Sequence, residues 1–230
     1  MAKEDWAYLT NGLDWNVVAR GATAGLAAPP GGGNFVYAFN SLASVTGAVG
    51  LFINLETFAP MEKGGSIRGC IQRAPGGGPL GFSPFFFLCA QGSSVNDTAY
   101  MLGLSDEDPH RIVLRKGSMA VGIPDSDGQG ALLVSGQSYV QGTWLHLRLD
   151  AVVNGNGDVV LRVLMSDLEE NDVNSPNWIA VPGMEQFIDD AVAVNSMSAP
   201  FTSGRAGFGF AVKDVTRRAY FDHLEVRRQV

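Results

Sequence analysis

Cysteine, histidine and charge are all scarce in this chain. Its two cysteines among 230 residues, Cys70 and Cys89, stand in apolar surroundings (RGCIQR and FFFLCAQ) without C-x-x-C spacing. That spacing favours buried, reduced thiols over a disulfide or a ligand pair, and both are expected as such. The three histidines, His110, His146 and His223, show no metal-site spacing, and no G-x-S-x-G elbow presents a nucleophilic serine. Charged residues make up 17% of the chain, with a formal balance of −7. The densest basic group, Arg217, Arg218, Arg227 and Arg228, is broken by Asp222 and Glu225. A nucleic-acid backbone, which needs a basic patch to release its counterions, is therefore not an expected partner. No run approaches the roughly 18 apolar residues of a membrane span, so no membrane partner is expected either. The opening MAKEDWAYLTNG lacks an apolar stretch behind a basic flank, and the expectation is a protein folded in the cytoplasm without an export signal.

What the chain does have is 29 glycines, 46% hydrophobic residues and recurrent Gly/Pro/Asn/Ser clusters between short apolar runs. That composition is typical of many strands joined by many turns, and the length suits one domain spanning residues 1–230. Strands are expected near Trp15 to Ala19 and in NFVYAFNSL, AVGLFINLETFAP, SIRGCIQRA, SPFFFLCAQG, AYMLGLSD, RIVLRKG, GALLVSG, NWIAVPG, RAGFGFAV and AYFDHLEVRR. The stretch ATAGLAAPPGGG reads as a loop and SDLEENDV as an acidic turn, while GMEQFIDDAVAV, whose apolar spacings allow a helix or a strand, is read as a short helix or turn. The fold class is thus all-β, an antiparallel two-sheet sandwich with at most one or two short helices.

Residues 143 to 167 form the clearest hairpin. Leu145, Leu147, Leu149 and Ala151 share one face, His146, Arg148 and Asp150 the other, and NGNGD supplies the turn. Val159, Leu161, Val163 and Met165 continue the apolar face on the return strand, while Arg162 lies with the semi-polar one.

The hairpin opening G-T-W-L-H-L-R-L, the later W-x-x-V-x-G from Trp178 to Gly183, and the terminal G-x-A-G-F-G-F and A-Y-F-D-H-L-E-V together resemble the concanavalin A-like lectin/glucanase superfamily in its laminin-G-like form. Gly204, Gly207, Phe208, Gly209, Tyr220, Phe221, Asp222 and Val226 carry the match, which covers the last third by motif and the remainder by strand count. The resemblance implies a jelly roll whose last strand returns beside the first. It specifies fold better than function, because the superfamily hosts lectins, hydrolases, lyases and structural modules.

The E-x-D-x-E pattern of the fold's glucanases and the Q-I-H and R-x-E-x-R patterns of its alginate lyases are absent, and no catalytic residue is assigned. Asp106 to Asp108, Glu169 to Asp172 and Asp189-Asp190 read as solvated loop charges. His146, Arg148, Asp150 and Arg162 form the candidate strip for a glycan or subunit contact. Asp125 and Asp127 in DSDGQG and Asp158 in NGNGD offer oxygen ligands for calcium, although Asp and Gly are also ordinary turn residues. Of Trp6, Trp15, Trp144 and Trp178, at most one is expected as a stacking platform. An exposed ring within Phe85-Phe86-Phe87 would mark a protein interface.

A lectin-like fold without an export signal leads to the expectation of a non-enzymatic bacteriophage virion protein of the tail, baseplate or fibre. It would assemble with other virion subunits as a homo-oligomer, with a host surface glycan as candidate ligand. Capsid decoration is the nearest variant. Two different function classes suit the same fold: a cytosolic sugar-binding module, and a glycan hydrolase or lyase built around His146, Arg148 and Asp150.

Overall fold

A computed structural model of the chain describes residues 6–8, 15–20, 22–27, 36–41, 48–58, 64–73, 82–105, 110–123, 130–140, 142–166, 177–192, 198–212 and 218–229. These hold strands numbered in chain order and no helix. One sheet contains β1 (Trp6–Tyr8), β3 (Ala22–Ala27), β4 (Val36–Ser41), β6 (Gly65–Arg73), β11 (Leu145–Val153), β12 (Val159–Ser166), β13 (Ile179–Ala180), β14 (Phe187–Asp189) and β16 (Arg218–Gln229). The other contains β2 (Trp15–Arg20), β5 (Ala48–Phe58), β7 (Phe82–Ala90), β8 (Thr98–Leu104), β9 (Arg111–Ser118), β10 (Ala131–Ser138) and β15 (Gly204–Val212).

The first sheet runs β13-β12-β11-β6-β16-β4-β3, with β1 also on β16 and β14 also on β12; the second runs β10-β9-β8-β7-β15-β5-β2. Every pairing is antiparallel, and the fold is a two-sheet β-sandwich. Trp6 pairs with Gln229, so the first strand lies beside the last, as the resemblance implies.

Two segments differ from the sequence reading. Ala22–Ala27 is a strand paired along its length with β4, although its Ala and Gly residues carry little intrinsic β signal; the ladder supplies what the side chains do not. Phe187–Asp189 is a strand on β12 rather than a helix or turn, with Phe187 opposite Leu161 and Asp189 opposite Val159. The acidic segment SDLEENDV lies outside the described residues apart from its first serine.

The main core fills the space between the sheets. Leu147, Leu149, Val163, Phe221 and Val226 meet Phe86, Leu102, Leu114, Phe208 and Phe210, all buried. The Phe221 ring lies 5.0 Å from Phe208 and 6.0 Å from Phe86, both tilted. A second apolar cluster covers the outer face of the second sheet, where Phe85, Phe87, Met101 and Val113 pack with Val95, Met119 and Ile123 from the connections. All three rings of Phe85-Phe86-Phe87 are therefore buried, one between the sheets and two outside, and none forms an exposed interface. The 119–123 connection is clamped down by the Ser83 hydroxyl, which accepts from the Ile123 amide at 2.8 Å, and by Arg115, which donates to the Gly122 carbonyl. Gly122 has φ +61°, and a Cβ there would meet Ala211 and Ser83 at 2.7 Å, so the clamp requires glycine.

A polar pin crosses the core. Lys116 of β9 and Asp189 of β14 pair at 2.7 Å with 1% and 0% of their surfaces exposed. The Tyr100 hydroxyl donates to the same carboxylate at 2.5 Å and accepts from the Phe201 amide at 2.9 Å. The Lys116 ammonium also donates to the carbonyls of Ser198 and Ala199, at 2.6 and 2.9 Å, and lies 4.7 Å from the Phe201 ring. Asp189 is thus a core residue rather than a solvated loop charge; strand pairing on β12 turns it inward.

Candidate functional site

The outer face of the first sheet is built by strand alternation. Since Leu145, Leu147 and Leu149 enter the core, His146, Arg148 and Asp150 face outward on β11. On β6 the corresponding outward set is Ser66, Arg68, Cys70 and Gln72. Cross-strand pairing arranges these residues in rows: Tyr220 beside Gln72; Asp222, Cys70, His146 and Ser166; Glu225, Arg68, Arg148 and Leu164; Arg227, Ser66, Asp150 and Arg162.

The third and fourth rows exist because β16 carries a bulge. Between Asp222 and Glu225 it spends one residue more than β6 does, and His223 takes φ +51° there. The extra residue keeps both Phe221 and Val226 in the core while turning Glu225 and Arg227 out. A side-chain Cβ on Gly69 would meet Leu224 at 2.8 Å and the Asp222 carbonyl at 3.0 Å, so the bulge rests on a bare glycine.

Arg68 and Arg148 stand directly opposite one another, an arrangement of like charges that is unfavourable unless neutralised. Glu225 accepts from Arg68 Nε and Nη2, both at 2.6 Å, and also takes Arg227 at 2.5 Å. Asp150 accepts from Arg148 Nε at 2.6 Å. Trp178 lies over both arginines, its ring 5.9 Å from each guanidinium carbon, and meets the His146 ring edge-on at 4.6 Å. The strip expected as a surface is consequently a floor: His146, Arg148 and Asp150 are only 2%, 8% and 3% exposed.

Burial, reinforced by the Arg68 and His223 charges and opposed by Glu225, lowers the His146 pKa from 6.5 to about 4 and keeps the imidazole neutral at physiological pH. The Cys70 thiol is pushed up to about 12, mainly by burial and then by Asp222, and Cys89 is raised by burial alone. Both are buried thiols outside any disulfide, with no thiolate character.

Arg162 lies opposite Asp150 but is exposed, at the margin of the floor. Asp125 and Asp127 lie outside the described residues. Asp158 is engaged in the hairpin turn: Asn154 Oδ1 accepts from the Asn156 and Asp158 amides at 2.9 and 3.0 Å, and Asn154 Nδ2 donates to Asp158 Oδ2 at 2.9 Å. Among the described residues no three His, Cys, Asp or Glu side chains are grouped to hold a metal ion. Asn154→Ala removes three hydrogen bonds that shape this turn and is expected to cost about 1 kcal/mol, read from urea unfolding midpoints at unchanged slope.

Sequence reasoning does not single out Arg68, Gln72, Glu225, Arg227 or Trp178 as members of one site. Alternation within SIRGCIQR marks Arg68 and Gln72 as a pair on one face, but register is what sets them beside His146. The bulge hides Glu225 and Arg227 from simple parity.

No family model matches the sequence, and no curated protein matches it. Solved structures do resemble it. A protein of unknown function from Shewanella oneidensis aligns with TM-score 0.54 at 10% identity over 98% of this chain and 86% of its own. The cellulose-induced protein Cip1 aligns with TM-score 0.52 at 11% identity, covering 94% and 92%. Lectin II from Ulex europaeus aligns with TM-score 0.46 at 8% identity, covering 98% and 95%. At these identities the likeness is one of fold.

Proposed function

We propose that this chain is a non-enzymatic, lectin-like module that binds a saccharide on the outer face of its first sheet and serves as a structural component of a bacteriophage virion, in the tail, baseplate or fibre. One contrast carries the binding reading. A sandwich needs an apolar face only between its sheets, and the second sheet seals its outer face with a further apolar cluster. The first sheet instead buries two arginines and a histidine against a tryptophan, with an aspartate and a glutamine on the same face. Desolvating such groups contributes little or nothing to stability compared with apolar packing, so their presence favours recognition. A flat ring beside polar donors and acceptors suits the two surfaces of a sugar.

For the virion setting, the supporting features are the buried thiols outside any disulfide, compatible with folding in a reducing compartment, and the apolar margin of Ile179, Ile188 and Val192. A neighbouring subunit could cover that margin. Capsid decoration fits the same features. Trp178→Ala is expected to weaken binding to a glycan selected on an array by about tenfold or more, measured by calorimetry, with the thermal midpoint little changed. Affinity that survives the substitution would remove this face from consideration, and absence of the chain from purified virions would remove the structural role.

A second reading, a glycan lyase or hydrolase, is favoured by the neutral His146 on the same face as Tyr220 and Gln72. Turnover of a bound glycan, lost in His146→Ala with binding retained, would establish it.

A further inference from the structure

We infer that the free edge of β3 is a self-association surface, where β3 of a second copy pairs antiparallel across a two-fold axis and the first sheet continues through the dimer. This edge is separate from the arginine face and does not depend on saccharide binding. A strand at the end of a sheet turns alternate backbone amides and carbonyls away from its neighbour, and another extended chain can satisfy them. Charges, prolines, bulges, short strands or a covering segment normally prevent that pairing. The other edges of this sandwich use such devices. β1, β13 and β14 are only three, two and three residues long. β10 has two register shifts against β9, and its Gly136 amide donates to the Pro182 carbonyl at 2.9 Å. β2 ends on Arg20. β3 differs: it pairs with β4 residue for residue from Ala22 opposite Ser41 to Ala27 opposite Val36, with no shift, and among the described residues it has no ladder on its other side. Its sequence ATAGLA holds neither a charge nor a proline.

The sequence of β3 suits a copy of itself. Residues directly opposite in an antiparallel ladder share a face, so the two-fold axis must pass through a residue. An axis at Ala24 sets Ala22 opposite Leu26 and Thr23 opposite Gly25; an axis at Gly25 sets Thr23 opposite Ala27 and Ala24 opposite Leu26. Neither register brings charge against charge or one large residue against another. For copies that each carry −7, an uncharged edge is where mutual repulsion opposes contact least. A closed two-fold also occupies both edges at once, which limits assembly to a pair instead of a growing sheet. The same contact accounts for a six-residue strand built from residues with weak β preference, because a ladder on each side supports it.

The test is light scattering on the intact chain, eluted from a sizing column over a range of concentrations. A mass twice the 24.4 kDa of one chain is expected. Register places Thr23 in the row of Asn40 and Arg218, and Gly25 in the row of Ala38 and Tyr220, both on the outer face of the sheet. Thr23→Lys combined with Gly25→Lys therefore spares the core and sets lysines directly opposite one another in either register. The pair should weaken dimerisation about tenfold or more, with the far-UV circular dichroism unchanged, whereas Asn16→Lys on the β2 edge should leave the mass as it is. The residue on the axis faces its own copy at about 4.5–5.5 Å between Cα atoms, within reach of a disulfide. One of Ala24→Cys and Gly25→Cys should consequently give a disulfide-linked dimer on mild oxidation, and Cys70 and Cys89, both buried, do not compete. A monomer at every concentration, any other stoichiometry, a dimer that survives the two lysines, or no cross-link at either position would overturn the β3 edge.

Discussion

Asp189→Ala is expected to destabilise the protein by about 3–5 kcal/mol in equilibrium denaturation, because it leaves the Lys116 ammonium buried without its carboxylate. The ammonium would retain the Ser198 and Ala199 carbonyls and the Phe201 ring, and Tyr100 would lose an acceptor. The double replacement Lys116→Met with Asp189→Leu should recover most of that loss, since it removes both desolvated charges and keeps approximate volume. Its remaining deficit would come from Tyr100, whose hydroxyl still accepts from the Phe201 amide. A single-variant cost below about 1 kcal/mol would show that water reaches the pin.

The second large effect is a loss of stability in mild acid. His146 has its folded pKa lowered from 6.5 to about 4. Between those values the unfolded chain binds a proton that the folded chain refuses, so stability falls as pH falls. The contribution is intact above the unfolded value, declines through the window, and reaches about 3 kcal/mol of destabilisation once pH passes below the folded value. Carboxylates add their own slopes at the acid end, so the measurement is a difference: unfolding free energies of the wild type and His146→Gln compared from pH 7 to pH 4. The variant should lack the His146 increment, narrowing or reversing any gap seen at neutral pH. Parallel curves would mean that the imidazole protonates freely in the folded protein.

Much of the architecture is legible in the sequence because hydrophobic alternation has a period of two and most strands of this chain obey it. The hairpin of β11 and β12 shows this well: Leu147 and Leu149 enter the core beside Val163, with Arg148 and Asp150 on the opposite face. Alternation does not say what lies over the second face. The same pattern that marks Arg148 as outward on β11 marks Phe85 and Phe87 as outward on β7, yet the first joins a charged floor and the others an apolar cluster. Elements with weak or mixed patterns are the ones that depart from the sequence reading. Ala22–Ala27 has few β-formers, and Phe187–Asp189 is too short to display a period; each becomes a strand through its partner's ladder. The site is half visible for a related reason. His146, Arg148 and Asp150 belong to one strand, whereas Arg68, Gln72, Glu225 and Trp178 join them only through register, a bulge and an edge segment.

That bulge also sets the phase of the end of the chain. Three steps on β16 answer two on β6, so removing either His223 or Leu224 would leave a plain alternating strand with Glu225 still outward and Val226 still inward. Straightening the bulge with its extra residue kept would instead exchange inside for outside along the rest of β16, sending Glu225 into the core and Val226 onto the arginine floor. The segment can therefore lose one residue without moving a side chain to the wrong face, but it cannot keep that residue without the kink.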